Sequence, residues 1–205
     1  MDEQTSNVEL TERLRLIESM MAEGQQRTAR FGWSLVLWGV AYYIATAWTM
    51  WSKNGAWAWP VTMTAAWIVT AIGFSRMSRG KPGTVVSRAM SGVWIAMGVS
   101  IFILLSSLGA SGRGDVHVFI AIIGAMLGAA NLASAIILKW KAQYACAVVW
   151  LASTVVASFG SDAATEIAFL AATFIALIAF GIYAMLLESL RRKLPNGVVN
   201  AQVRA

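Results

Sequence analysis

Six stretches of this 205-residue chain carry no Asp, Glu, Lys or Arg: 31–52, 54–75, 89–112, 116–138, 142–161 and 167–187. All the charged residues fall in the segments between and around them. A helix rises about 1.5 Å per residue, so runs of this length cover about 30–36 Å, enough to cross a hydrocarbon core of about 30 Å. Backbone N–H and C=O groups in lipid need partners within the segment, which makes each run a helix. The runs predict spans at roughly 32–52, 55–75, 89–109, 116–138, 143–160 and 166–187. An outer-membrane barrel would instead show alternating segments of about ten residues. At 58% hydrophobic residues without glycine, the chain also lies outside the soluble, disordered and disulfide-rich classes.

The breaks between the spans read as turns. Ser52-Lys53-Asn54-Gly55, Arg79-Gly80-Lys81-Pro82-Gly83, Ser111-Gly112-Arg113-Gly114-Asp115 and Gly160-Ser161-Asp162 collect the glycine, proline and polar residues that end helices. Pro60 falls near the start of span two, where a missing N–H costs little.

The basic residues set the orientation. Arg13, Arg15, Arg27 and Arg30, then Arg76, Arg79, Lys81 and Arg88, then Lys139 and Lys141, then Arg191, Arg192, Lys193 and Arg204 all fall on one side of such a chain. Lys53 and Arg113 alone fall on the other. The expectation is an all-α polytopic membrane protein with both termini cytoplasmic and six helices arranged as three in–out–in hairpins. An amphipathic cytoplasmic helix precedes them. Three regions follow: an N-terminal coiled-coil-like helix over 1–30, a six-helix transmembrane domain over 31–188 and a basic cytoplasmic tail over 189–205. The first 30 residues are polar and show no signal peptide, so span one is expected to act as its own insertion signal. Short loops point to a plasma membrane, the bacterial inner membrane. The formal +6 charge is mainly this topology signal, and no nucleic-acid partner is expected.

The spans offer little for chemistry. Proton relays and ion coupling keep ionisable groups at depth, and here none lies between the ends of the spans. The chain has no HExxH, Walker A or CxxC sequence, and its one histidine leaves no convincing nucleophile–base set. No catalytic residue, metal ligand or cofactor is expected. Asp115, His117, Asp162 and Glu166 fall at the expected outer ends, where they could meet as a divalent-metal site or serve as helix caps and loop charges. The acids suit helix N-termini, and the capping reading is preferred. Glu188 is expected at a solvated helix end, paired with Arg191 or Arg192. The single cysteine, Cys146, reads as a small packed residue.

Three sets of residues stand out. Gly124 and Gly128 form a GxxxG pair in span four, followed by Asn131. They predict close helix packing, with Asn131 bonded to another span and span four the most enclosed helix. Six of the ten tryptophans fit aromatic belts: Trp48, Trp51, Trp57 and Trp59 at the outer end, Trp33 and Trp140 at the inner boundary. Trp38, Trp67 and Trp150 lie near mid-membrane. They read as interface packing or as the wall of a candidate pocket for a lipid, quinone or other hydrophobic ligand.

The third set is in the N-terminal arm. Ser6 and Glu9 have capping-box spacing, so a helix is expected from about residue 7. Leu10, Leu14, Ile17, Met21, Gly24, Thr28 and Phe31 then recur at alternating steps of four and three, a heptad seam that weakens at Gly24. Glu9–Arg13 and Glu23–Arg27 are i,i+4 pairs. The arm has six acids and four basic residues, which argues against docking on anionic lipid. Leu10, Leu14, Ile17 and Met21 are therefore the candidate contacts to a second copy or a membrane-protein partner, in preference to folding back on the bundle. The functional expectation is a non-enzymatic membrane protein acting by association, as a complex subunit, scaffold or sensor. The alternative is a small transporter or channel for an uncharged or hydrophobic solute, lined by residues such as Thr46, Thr64, Ser100, Ser153 and Thr173.

Overall fold

The computed structural model describes the backbone of residues 2–52, 57–77, 85–111 and 115–193, and the side chains from Glu9 onward apart from 27, 77, 109 and 191–193. Every element among them is helical: α1 (Asp2–Arg30), α2 (Gly32–Trp51), α3 (Ala58–Met77), α4 (Val85–Ala110), α5 (Val116–Leu138), α6 (Lys141–Phe159), α7 (Asp162–Thr173), a π-helical stretch (Phe174–Ala179) and α8 (Phe180–Lys193). The predicted breaks at 53–55, 79–83 and 112–114 lie outside the described residues, as does the tail from 194. The break at Gly160 is present: its extended backbone ends α6 just before α7 begins at Asp162.

Among the described residues, five helical segments are long and apolar enough to cross a membrane: Ala58–Arg76, Val85–Leu108, Val116–Leu138, Lys141–Phe159 and Asp162–Leu190. The last joins α7, the π stretch and α8. The first expected span is not among them. α2 has 20 residues and no charge, but four tryptophans, two tyrosines and two glycines dilute its aliphatic content. Indole and phenol rings carry polar groups, so such a helix is suited to interfaces and packed cores more than to bulk lipid.

The chain forms two compact units: Met1–Arg27 with Gly80–Ala172, and Thr28–Arg79 with Thr173–Ala205. The first is organised on the α5–α6 pair. A side chain at Gly124 would meet the Thr154 hydroxyl at 2.6 Å and the Trp150 carbonyl at 3.1 Å, so only hydrogen lets the two helices approach. One turn on, Gly128 faces Leu151 in the same way. The Thr154 hydroxyl lies 3.2 Å from the carbonyl of Trp150 and 3.4 Å from that of Ala121, bonding along its own helix and across to α5. α4 joins α5 through a bond from Trp94 Nε1 to Ser134 Oγ, 3.1 Å. Ile123, Leu127, Ala130, Ala135 and Leu138 fill the buried face of α5. Of the five apolar segments, α5 is the most enclosed.

The second unit packs α2 against α3 and the end of the last span. Gly32 and Gly181 face each other, and Gly39 lies against Leu177 and Ile178 of the π stretch. On the α3 side the Trp33 ring covers Gly73. Phe31 stacks on Phe74 at 4.3 Å, Trp38 meets Trp67 edge-on at 5.5 Å, and Tyr42 meets Trp59 at 5.7 Å.

Candidate functional site

α1 begins at Asp2, earlier than the Ser6 cap predicts. Asp2 and Glu3 put two acids in its first turn, where the helix dipole favours them. The side chain of Ser6 lies outside the described ones, and so does that of Arg27, the expected partner of Glu23. Arg13 and Glu9 do meet, at 2.6 Å on the exposed surface. The helix does not run unbroken into the first expected span. It tightens at Phe31, where the Phe31 N–H bonds the Thr28 carbonyl and the Ser34 N–H bonds the Phe31 carbonyl.

The seam of α1 divides at about Met21. Leu10, Leu14 and Ile17 are 54%, 60% and 52% exposed, and Met21 is half-buried. Gly24, on the same stripe, is buried, and a side chain there would meet Leu138 of α5 and Val86 of α4. Gln25 Nε2 donates to the Leu138 carbonyl at 2.8 Å. That carbonyl lies beside Lys139, whose left-handed backbone ends α5, so the amide supplies a partner to a helix end that lacks one. The lower arm thus folds onto its own unit, while the upper arm leaves an aliphatic face uncovered.

The other expected residues fall as follows. Gly124 and Gly128 sit between α5 and α6, as described. Asn131 is buried, but its Nδ2 donates to the Leu127 carbonyl of its own helix at 2.8 Å. This corrects the expected bond to another span: an amide in a helix interior can use the carbonyl four residues back. Trp38 and Trp67 are brought together in the second unit. Trp150 belongs to the first, where it is fully buried 6.1 Å from Phe169. Of the belt tryptophans, Trp51 and Trp57 are largely exposed. Trp33 and Trp140 are packed instead, the first on Gly73 and the second buried ahead of α6.

At the start of α5, Asp115 accepts from the N–H groups of His117 and Val118 and so caps the helix. His117 reaches two other helices. Its Nδ1 is 2.9 Å from the Ala157 carbonyl and 3.2 Å from the Thr165 hydroxyl, and its Nε2 is 2.7 Å from Asp162 Oδ1. The ring therefore ties α5 to α6 and α7. Among the described residues, no three of His, Cys, Asp and Glu are placed to hold a metal ion. Glu188, expected at a solvated end, is buried and lies 3.7 Å from Arg30.

Two further features stand out, the second joining Gln143 to Trp150 and Ser153, which the sequence singles out separately. One is the π-helical stretch, a wide turn of a kind often found at functional sites. The other is a stripe on α6. Gln143, Trp150 and Ser153 share its buried face, and among the described residues Gln143 Oε1, Trp150 Nε1 and Ser153 Oγ have no hydrogen-bond partner. No protein-family model, curated protein or solved structure matches the chain.

Proposed function

We propose that the chain is a six-span integral membrane protein of three in–out–in hairpins, with cytoplasmic termini, that acts by association and uses α1 as its contact element. The observation that carries this reading is the uncovered aliphatic face of Leu10, Leu14 and Ile17 on a helix whose lower end is anchored. Full burial of a Leu or Ile side chain is worth about 1.5–3 kcal/mol. A surface that leaves three together half in water has much to gain from a partner. The excess of acids over basic residues in the arm favours a protein partner over an anionic lipid surface. α2 counts as a span because it is charge-free, has membrane-crossing length and places basic residues consistently on one side. Deleting residues 2–23 tests the association. The truncated protein should insert normally but lose its oligomer or its copurifying partner. Retention of both would end the reading.

A second reading draws on the α6 stripe. Buried polar atoms without partners are uncommon and costly, and those of Gln143, Trp150 and Ser153 would suit the hydroxyl or amide of an uncharged solute. Flux in reconstituted vesicles that Ser153→Ala and Gln143→Leu abolish would favour a transporter or channel.

A further inference from the structure

The association reading leaves the identity of the partner open, and the charges flanking the seam narrow it. With steps of four, three and four, Leu10 and Ile17 take d positions and Leu14 and Met21 take a positions of a heptad. Arg13 then stands at g and Glu18 at the e position five residues on. In a parallel, in-register coiled coil, g of one helix faces that e position of its neighbour. An antiparallel pairing sets g against g and e against e, which brings Arg13 towards Arg13 or Glu18 towards Glu18.

We propose that α1 pairs in parallel and in register with the α1 of a second copy of this chain, through Leu10, Leu14, Ile17 and Met21, with Arg13 of each copy against Glu18 of the other. This rests on the association reading and names its partner. Two further observations, and one consequence of the proposed membrane insertion, fit. The seam is uncovered at Leu10, Leu14 and Ile17 and half-buried at Met21, and it ends at Gly24, where the arm's own unit takes over. Arg13 pairs with Glu9, and both side chains are mostly exposed, so the guanidinium can exchange that contact for a neighbour's at little cost. Copies inserted in one bilayer with the same orientation present their arms in parallel, at a high effective concentration that offsets so short a seam. Leu14 at a beside Ile17 at d favours more than two strands, whereas Leu10 at d suits a dimer, and the Arg13–Glu18 contact recurs between neighbours in any parallel ring.

The test uses the full chain in lipid vesicles, with Cys146→Ala removing the native thiol. Leu14→Cys places a thiol on the seam, and Glu12→Cys places one at f, facing away. Oxidation should crosslink the Leu14→Cys protein at least tenfold more than the Glu12→Cys protein. Arg13→Glu and Glu18→Arg should each lower the Leu14→Cys yield several-fold, and the double swap Arg13→Glu/Glu18→Arg should restore it. Equal crosslinking at the two sites, or single swaps without effect, or a double swap that fails to recover, would overturn the proposal. Helical content by circular dichroism shows whether each variant is folded. The 2–23 deletion separates the two levels. A deletion that releases a different protein while the Leu14→Cys form stays monomeric keeps the association reading and rejects self-pairing. A deletion that changes no partner and no oligomer rejects both.

Discussion

Gly32 and Gly181 lie backbone to backbone: a Cβ on Gly32 would stand 2.6 Å from the Gly181 carbonyl oxygen, and one on Gly181 would stand 2.8 Å from that of Gly32. Each helix fills the space that the other's missing side chain leaves. Because the atoms in the way are backbone, a neighbour cannot relieve the clash by changing rotamer. Gly32→Ala and Gly181→Ala should each cost about 1–3 kcal/mol, the range for overpacking a tight contact. Gly92 in α4 is the control, since nothing lies within 4 Å of a Cβ there. Gly92→Ala should be neutral or gain up to about 1 kcal/mol from helix propensity. Thermal unfolding in detergent reads all three, and equal midpoints for Gly32→Ala and Gly92→Ala would refute the close crossing.

The α5–α6 contact makes a finer distinction. At Gly124 the obstacles are a hydroxyl and the Trp150 carbonyl, whereas at Gly128 they are chiefly the movable end of Leu151. Gly124→Ala should therefore destabilise the protein more than Gly128→Ala. Gly128→Leu, too large for Leu151 to accommodate, should disrupt assembly. The reverse order of the two alanine variants in unfolding midpoint would mean that α6 shifts more easily than its backbone contacts imply.

How much of this was legible beforehand follows from the range of each signal. Spans announce themselves through charge, because the cost of placing an ionised group in lipid acts on every residue of a run. Gly124 and Gly128 were visible because their spacing lies within one helix. The Gly32–Gly181 crossing joins residues far apart in sequence, and neither has a local pattern that points to the other. The partner of Asn131 is not legible because an amide at a packed face has two outlets, its own helix and a neighbour, and spacing does not choose between them. The burial of Glu188 is not legible in the sequence because Arg30, which it approaches, comes from the other end of the chain, while the side chains of Arg191 and Arg192 lie outside the described ones. In the arm the seam was readable, but not the place where it divides. That division is set by Leu138 and Val86, which the arm meets only in the folded chain.

Near the start of α5, His117 bonds to groups of α6 and α7 at once. His117→Ala should lower the unfolding midpoint and loosen the start of α7. Asp162→Asn, which keeps an oxygen near Nε2 at an exposed site, should do less. Amide exchange over residues 161–166 gives the readout. Faster exchange in Asp162→Asn than in His117→Ala would place the anchor on the carboxylate and not on the ring.

The topology has its own test in a Cys146→Ala background. A thiol introduced by Gly112→Cys should react with an impermeant reagent added outside the cell. One introduced by Pro82→Cys should react only after the membrane is opened. Reaction of Pro82→Cys from outside together with protection of Gly112→Cys would invert the orientation that the basic residues imply.

Gly24 sets two demands against each other. It occupies a d position in the heptad, where a larger aliphatic residue would lengthen the seam, yet a Cβ there would lie 2.6 Å from Leu138 Cδ2 and 3.0 Å from Val86 Cγ1. Gly24→Leu should therefore lift the lower arm from α4 and α5 while adding a layer to the self-pairing surface. Gln25→Ala acts on the anchor alone, by removing the bond from Nε2 to the Leu138 carbonyl. Both should raise amide exchange through residues 20–30 and at the end of α5. Only Gly24→Leu should also increase crosslinking of the Leu14→Cys protein. If Gly24→Leu leaves exchange at the end of α5 unchanged, the arm is not held there, and the division of its seam at Met21 loses its physical basis.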